Sequence, residues 1–322
     1  MTQRTNTQMD FADQMVVRSS NLNTGLDRIG LLIDWTRFEV PLRSVFPAKT
    51  GRPGHSALML FKALLLQSWY NLSDYALEET LDDRFSFRRF IGLSIGEKAP
   101  DHTTICRFRE RLAKVGLTDK LFECLHKLLQ EKGLIVKKGT LVDATLVEAA
   151  VKKPDQKEDG SAGESETDKE AKWSMQGKKR CFGYKGHVGV DMKSGLIRKV
   201  KLTAANVYEG DVLRELVIGD EEWAIADKAY ESQKNYDFLK EKGVNSGMMF
   251  SARGCYPLTP MEKFFNRVMA KHRAAVERLF GTLKRSYGWW RVRYKGRLKN
   301  HSWLMVLSMA YNMKKMVKLC PQ

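Results

Sequence analysis

Cysteine is scarce in this sequence, and its spacing indicates no metal site. Five cysteines occur among 322 residues, and none belongs to a CxxC pair or to a Cys/His pattern typical of zinc binding. Their odd number and scatter also exclude a disulfide framework. We therefore expect reduced thiols, as in a cytosolic protein; the five are Cys106, Cys124, Cys181, Cys255 and Cys320.

Long apolar runs are lacking as well. No segment approaches the roughly 20 residues that a membrane-spanning helix needs, and the polar start of the chain does not form a signal peptide. Residues 1–22 show little periodicity and are expected to form a polar arm that is mobile or folds only with a partner. The sequence therefore predicts a protein that works inside the cell without contact with a membrane.

Acidic residues are few relative to basic ones. The chain has 38 Asp and Glu against 55 Lys and Arg, a formal net charge of +17. Between Met261 and Lys299, 12 basic residues stand against 2 acids, so this segment carries +10. Such a concentration is typical of a nucleic-acid binder, whereas a merely solubilising surface, the alternative, would intersperse both signs.

The first part of the chain shows helical periodicity throughout. An apolar helix is predicted over residues 58–70, a second helix follows Ser73, and a third begins at Asp101. The side chains of Ser73 and Asp101 suit the N-cap position. We therefore predict an all-helical N-terminal domain over residues 1–138.

The third of these helices carries several basic residues. Two short helices followed by a basic, well-capped helix resemble a helix-turn-helix module. In that interpretation Arg107 and Arg111 lie near bases or phosphates in the major groove. An ordinary surface helix with a basic face explains the same pattern, and the sequence leaves both interpretations open.

From residue 139 onward, β-prone runs replace the helical pattern. Helices separate the later strands, and a long helix follows the last of them. This order matches an α/β fold of the ribonuclease H type, a mixed five-stranded sheet flanked by helices, over residues 139–322. The strands are predicted at residues 140–147, 182–191, 196–202, 222–226 and 244–250.

A charged segment interrupts this second domain. Residues 152–180 hold 8 basic and 7 acidic residues and almost no apolar side chain before Trp173. Because such a composition cannot form a core, we predict a flexible insertion here.

Two isolated acids stand in the apolar strands. Asp143 lies within the first strand, and Asp227 ends the fourth. An ionised carboxylate in such a setting is costly unless it is paired or bound to a metal. In the predicted topology the first strand is central and the fourth lies beside it, so these two acids should be neighbours.

A third acid lies on the long helix. Over residues 271–285, Arg273, Glu277 and Lys284 fall on one stripe, because offsets of four and seven residues return to within about 40° of the same azimuth. The helix follows the last strand and can bring Glu277 to the edge where the aspartates meet. The alternative is an ordinary surface pair of Arg273 and Glu277.

Together these residues resemble the DDE transposases of bacterial insertion sequences, most closely the insertion-sequence-5 family within the insertion-sequence-4 superfamily. The resemblance is carried by TLVDATLVEA around Asp143, by AIADKAY around Asp227, and by Glu277 with its flanking Arg and Lys. In the family a Tyr usually stands three residues before that Arg, where this chain has Ala270. Its hydroxyl contact is therefore absent or comes from another residue, such as Tyr287 or Tyr230.

The resemblance implies metal-dependent DNA chemistry. Asp143, Asp227 and Glu277 would hold two Mg²⁺ ions, with Mn²⁺ as a substitute. Water would cut DNA at the element ends to free 3′-hydroxyls, which would then attack target DNA. The residues expected to contact DNA are Arg107, Arg111, Arg273, Lys284, Arg285, Trp289, Arg291 and Arg293.

The implied partners are double-stranded DNA, as terminal inverted repeats and as target, and a second copy of the chain in a synaptic homodimer. The implied location is the nucleoid in a bacterial cytoplasm. Trp289 and Trp290 suit base stacking, although packing against the last helix explains each of them as well.

Other functions remain compatible with the residues alone. A DNA-binding regulator would need no acids, a structure-specific nuclease would share the fold, and a tyrosine recombinase would use His272, Arg273 and a C-terminal Tyr311.

Overall fold

The computed structural model describes residues 25–46, 54–155, 163–176, 179–252 and 256–320. The chain divides into two compact units. The first unit combines Met1–Lys132 with Met305–Gln322, and the second unit consists of Gly133–Leu304. The arm predicted at residues 1–22 lies outside the described residues.

In its described part, the first unit is built from helices. Capping determines where three of them begin, because the side chains of Ser56, Ser73 and Asp101 each accept a hydrogen bond from the third backbone N–H of the helix that follows. The predicted starts after Ser73 and at Asp101 are thereby confirmed. The helices are α1 (Gly25–Leu32), α2 (Thr36–Leu42), α3 (Ala57–Tyr70), α4 (Asp74–Asp83), α5 (Phe85–Ile91), α6 (His102–Val115) and α7 (Leu117–Glu131).

The second unit contains a mixed six-stranded sheet. The strand order is β2-β3-β1-β5-β6, and β4 also pairs with β3. β1 runs antiparallel to β3 and parallel to β5, so the predicted adjacency of the first and fourth predicted strands is confirmed. The strands are β1 (Thr140–Glu148), β2 (Lys172–Gln176), β3 (Lys179–Asp191), β4 (Ile197–Ala204), β5 (Trp223–Ala226) and β6 (Asn245–Met248).

The prediction of five strands was wrong, because β2 lies inside the segment predicted as a flexible insertion. β2 pairs with the first residues of β3 through backbone hydrogen bonds, which need no apolar side chains. The Trp173 ring packs against Phe182 at 5.3 Å, and its indole N–H donates to the Gly163 carbonyl at 3.0 Å. Polar composition therefore concealed an ordered part of residues 152–180; residues 156–162 and 177–178 lie outside the described residues.

Helices cover both faces of the sheet. On one face Val142 joins a buried cluster with Leu213, Leu216 and Leu239. Successive side chains of a strand point to opposite faces, so Asp143 faces the other side, where the longest helix packs on β1. The helices of this part are α8 (Leu213–Leu216), α9 (Gln233–Glu241), α10 (Pro260–Ser286) and α11 (Arg297–Leu319).

The helix α10 is longer than the predicted residues 271–285. It begins with a capping box, in which Thr259 and Glu262 hydrogen-bond each other's backbone N–H groups. Its buried face consists of Val276, Leu279, Phe280 and Leu283, which fixes the azimuth of every other side chain on the helix.

The last helix, α11, begins in the second unit, and its residues from Met305 onward belong to the first. Among the helices of the described residues, none combines the length and the hydropathy needed to cross a lipid bilayer.

Candidate active site

Asp143 occupies the middle of β1 and is 8% exposed. Its Oδ1 accepts a hydrogen bond from the Ala144 backbone N–H at 2.8 Å. The strand positions this carboxylate because β1 is held on both edges, by β3 and by β5. The acid is thus built into an interior strand of the sheet.

Asp227 follows the last residue of β5. Its Oδ1 accepts a hydrogen bond from the Ala229 N–H at 2.8 Å and so caps the single turn Lys228–Tyr230. β5 runs parallel to β1 and pairs with its first two residues. The residue that follows β5, Asp227, therefore lies beside Asp143. The predicted approach of the two aspartates is present in the structure.

A third carboxylate, which the sequence analysis did not assign to the site, completes the group. Glu209 begins the single turn Glu209–Val212 after β4. Asp143, Glu209 and Asp227 each offer an oxygen, and these atoms all lie within 4.8 Å of one another; we call these three residues the acid cluster. Glu209 was missed because no apolar strand surrounds it, and only the chain path after β4 brings it here.

Burial governs the electrostatics of Asp143. It raises the pKa of that carboxyl from 3.8 to about 6; the charge of Arg273 and hydrogen bonds from Ala144 and Arg273 oppose the rise, and the charge of Asp227 adds to it. The protein thus holds an acid that is costly to ionise next to two others. A cation bound between the three carboxylates would stabilise their ionised forms.

Arg273 on α10 reaches the acid cluster. Its Nη2 lies 3.1 Å from an oxygen of Asp143 and 3.9 Å from an oxygen of Asp227. Lys284 contacts β1 further along the same helix, where its Nζ donates to Thr145 Oγ1 at 2.7 Å and to the Leu146 carbonyl at 3.2 Å. Both cations of the stripe predicted on this helix therefore contact β1.

Glu277 lies on α10 between these two cations, and its side chain is exposed. Four residues separate it from Arg273, so helical geometry places both on nearly the same azimuth. Among the described residues, the acids that form the close cluster are Asp143, Glu209 and Asp227, and Glu277 is not one of them.

The aromatic and basic residues after α10 are positioned differently from one another. Trp289 is fully buried, and a Cβ added at Gly186 would lie 2.1 Å from its ring, so the indole packs against β3 at this glycine. Trp290, by contrast, is 56% exposed. In this structure the first indole offers no face for stacking on a base, and the second does.

The other residues predicted to contact DNA occupy several surroundings. Arg291 donates to the carbonyls of Ala149 and Ala150, both at 2.9 Å, and the Arg293 guanidinium lies 5.2 Å from the centre of the Trp303 ring. Arg285 is exposed on α10 and donates to the Gly281 carbonyl. In the first unit, Arg107 and Arg111 are exposed on α6.

The donor set of the acid cluster fits a divalent cation of the hard type. Three carboxylates on different elements can supply the oxygen ligands that Mg²⁺ and Mn²⁺ prefer. Without a cation, acids this close repel one another, and the charge of Asp227 adds to the raised pKa of Asp143. The residues present therefore suit metal-assisted chemistry on an anionic substrate.

Comparison with known protein families gives two matches. Residues 135–313 match the family described as Transposase DDE domain. Residues 16–111 match the family described as Transposase domain (DUF772). The first match covers more than half of the chain and includes every residue of the acid cluster, together with Arg273, Glu277 and Lys284.

Proposed function

Because this chain belongs to the family of DDE-domain transposases, we propose that it moves a bacterial insertion sequence by cutting DNA at the ends of the element and joining those ends to target DNA. The observation that carries this proposal is the meeting of Asp143 and Asp227 in the acid cluster, with Arg273 beside them. We further propose that it belongs to the insertion-sequence-5 family of the insertion-sequence-4 superfamily, because the motifs around Asp143 and Asp227 resemble those of that family.

The first step is hydrolysis of a phosphodiester. Water attacks phosphorus, the bond to the 3′ oxygen of the element breaks, and that oxygen leaves as a 3′-hydroxyl. In the second step this hydroxyl attacks a phosphodiester of the target, whose own 3′ oxygen leaves. Each step forms one P–O bond and breaks one, so no ATP is required.

Different residues of the second unit would bind the metal ions and the phosphates in this reaction. Asp143, Asp227 and Glu277 would hold two Mg²⁺ or Mn²⁺ ions, which when bound activate the attacking oxygen and neutralise charge on the leaving oxygen. Arg273 and Lys284 would grip phosphate oxygens beside the scissile bond.

Binding of the element ends is assigned to the basic residues. Arg107 and Arg111 on α6 would contact the terminal inverted repeats, and Arg285, Arg291 and Arg293 would track phosphates near the cut. Joining two ends requires two active sites, so the working assembly is a homodimer on DNA.

Substitution at Asp143 tests the proposal. In a nicking assay with Mn²⁺ and duplexes that carry the inverted repeat, Asp143→Asn should give no nicked product, because it loses a carboxylate that would hold the metal. The variant should still bind the ends within about threefold of the parent affinity, because no Lys or Arg side chain is removed. Asp237→Asn, an exposed acid on α9, is the matched control and should cleave normally. Cleavage by Asp143→Asn at the parent rate would refute the assignment.

The family match does not favour a DNA-binding regulator or a structure-specific nuclease. Strand-transfer products decide the matter: a nuclease would give nicked ends without joined target DNA.

A further inference from the structure

Glu209 is paired with a largely buried lysine. The Lys185 Nζ lies 3.1 Å from Glu209 Oε1, and the side chains of the two residues are 11% and 24% exposed. The same ammonium donates to the Val207 carbonyl at 3.0 Å. Since one cation binds both the carboxylate and the backbone before it, the glutamate is fixed at the cluster.

A buried amide ties the turn of Glu209 to the turn of Asp227. Asn235 is 2% exposed, and its Nδ2 donates to the Gly210 carbonyl at 2.9 Å and to the Tyr230 carbonyl at 2.8 Å. The two turns that carry these carboxylates are therefore held together by hydrogen bonds to one side chain. A metal site requires ligands whose positions are fixed by such supporting contacts.

Tyr230 supplies an independent sign of a ligand. Its side chain is fully buried, and its hydroxyl has no hydrogen-bond partner among the described residues. Burial, followed by the charges of Glu209, Asp143 and Asp227, raises the pKa of this phenol well above its usual value. Buried hydroxyls are nearly always hydrogen-bonded, and this one points to a partner at the acid cluster.

Glu277 differs from Glu209 in two respects. It is exposed and stands outside the close cluster of the described residues. The carboxylates that are assembled without DNA are thus two aspartates and Glu209.

We propose that Glu209 is a metal ligand, and that Asp143, Asp227 and Glu209 form the cation site of the DNA-free protein, with the Tyr230 hydroxyl donating a hydrogen bond to the oxygen ligands around the cation. Glu277 then contributes its carboxylate only when DNA is bound. This inference rests on the proposed function, because it concerns the metal site of the same reaction.

Mn²⁺ binding to the full chain without DNA tests the inference. Electron paramagnetic resonance of free Mn²⁺ gives the affinity directly and does not depend on cleavage. Glu209→Gln should weaken Mn²⁺ binding at least about tenfold, because loss of a residue that only hydrogen-bonds a metal ligand already lowers metal affinity about 10- to 100-fold. Glu277→Gln should weaken Mn²⁺ binding less than about threefold. Tyr230→Phe should weaken binding by a smaller factor than Glu209→Gln.

Thermal melting without metal serves as the folding control. Glu209→Gln leaves Lys185 without its anionic partner, so the double variant Lys185→Gln with Glu209→Gln replaces the pair by two amides and is measured in its place if the single variant does not fold. The inference would be overturned if the Glu209→Gln variant, or the double variant in its place, bound Mn²⁺ within about twofold of the parent affinity. A larger loss of Mn²⁺ affinity for Glu277→Gln than for Glu209→Gln would overturn it as well.

Cleavage separates failure of this inference from failure of the proposed function. If the parent nicks inverted-repeat DNA, Asp143→Asn does not, and Glu209→Gln binds Mn²⁺ like the parent, only the role of Glu209 is refuted. If the parent neither binds Mn²⁺ nor nicks DNA, both proposals fall.

Discussion

Arg273 donates a hydrogen bond to Asp143, with Nη2 3.1 Å from Oδ2, across 130 residues of sequence. The guanidinium thus supplies positive charge to the acid cluster in the DNA-free protein. A divalent cation entering the cluster would meet this charge at close range, and a DNA phosphate would compete with Asp143 for it. We therefore expect Arg273 to contact Asp143 in the absence of DNA and a phosphate when DNA is bound.

The first prediction follows from this double role. Arg273→Gln should bind Mn²⁺ more tightly than the parent without DNA, by roughly fivefold, because removing a nearby cation is worth about 1 kcal/mol in a partly solvated site. The same variant should cleave inverted-repeat DNA about 100-fold more slowly, because a charge at the transition state is lost.

Mn²⁺ titration and single-turnover cleavage measure these two effects. Lys271→Gln, an exposed cation on the same helix, is the matched control and should change neither by more than about twofold. Weaker Mn²⁺ binding by Arg273→Gln would contradict the argument.

The second prediction concerns stability and pH. The pKa of Asp143 is raised from 3.8 to about 6, mainly by burial, so the folded state holds a proton more tightly than the unfolded chain. The resulting cost is absent below about pH 4 and complete above about pH 6. Asp143→Asn, measured with a chelator at pH 7.5, should therefore raise the free energy of unfolding by up to about 3 kcal/mol.

Denaturant unfolding at pH 7.5 and at pH 4 checks the sign. The gain for Asp143→Asn should fall to about 0.5 kcal/mol at the lower pH, because the parent carboxyl is then protonated in the folded state and partly protonated in the unfolded chain. Asp237→Asn, on the exposed side of α9, should change stability by less than about 0.5 kcal/mol at either pH. Equal gains for Asp143→Asn at both pH values would show that ionisation of Asp143 is not their cause.

The third prediction separates two adjacent tryptophans. Trp289 is fully buried against β3, so Trp289→Ala should lower the free energy of unfolding by about 3–5 kcal/mol. Trp290 is 56% exposed, so Trp290→Ala should leave stability almost unchanged but weaken binding to DNA ends with unpaired bases, by about 1–3 kcal/mol.

Urea unfolding and fluorescence anisotropy report on these two properties. A Trp290→Ala variant that binds frayed ends like the parent would exclude base stacking by that ring.

The fourth prediction compares two arginines on α6. Arg109 is 8% exposed and forms two hydrogen bonds with the Asp74 carboxylate, both at 2.7 Å, whereas Arg107 is exposed. Arg109→Ala should therefore lower the free energy of unfolding by at least about 2 kcal/mol, because it strands a partly buried carboxylate.

Arg107→Ala should leave unfolding unchanged and weaken DNA binding. The slope of log affinity against log salt should fall by about 1, since one phosphate contact is removed. An unchanged slope would place Arg107 away from the DNA and favour the surface-helix interpretation of α6.

Local sequence patterns predicted most of the secondary structure and two of the clustered acids. Ser73 and Asp101 marked helix starts because a capping side chain acts within three residues of itself. Asp143 was recognisable because a charge inside an apolar strand is costly wherever that strand packs. The stripe of Arg273 and Lys284 followed from helical periodicity alone, and both residues contact β1.

What the tertiary structure decided depends on contacts between distant segments. The strand β2 forms because β3 offers it an edge to pair with, and Trp289 is buried because Gly186 leaves room for its ring. Glu209 joins the aspartates only through the turn that follows β4. The sequence by itself determined which residues carry the chemistry of the strands and the long helix; only the fold decided which carboxylates meet, because backbone pairing and packing, not local pattern, set the distances between them.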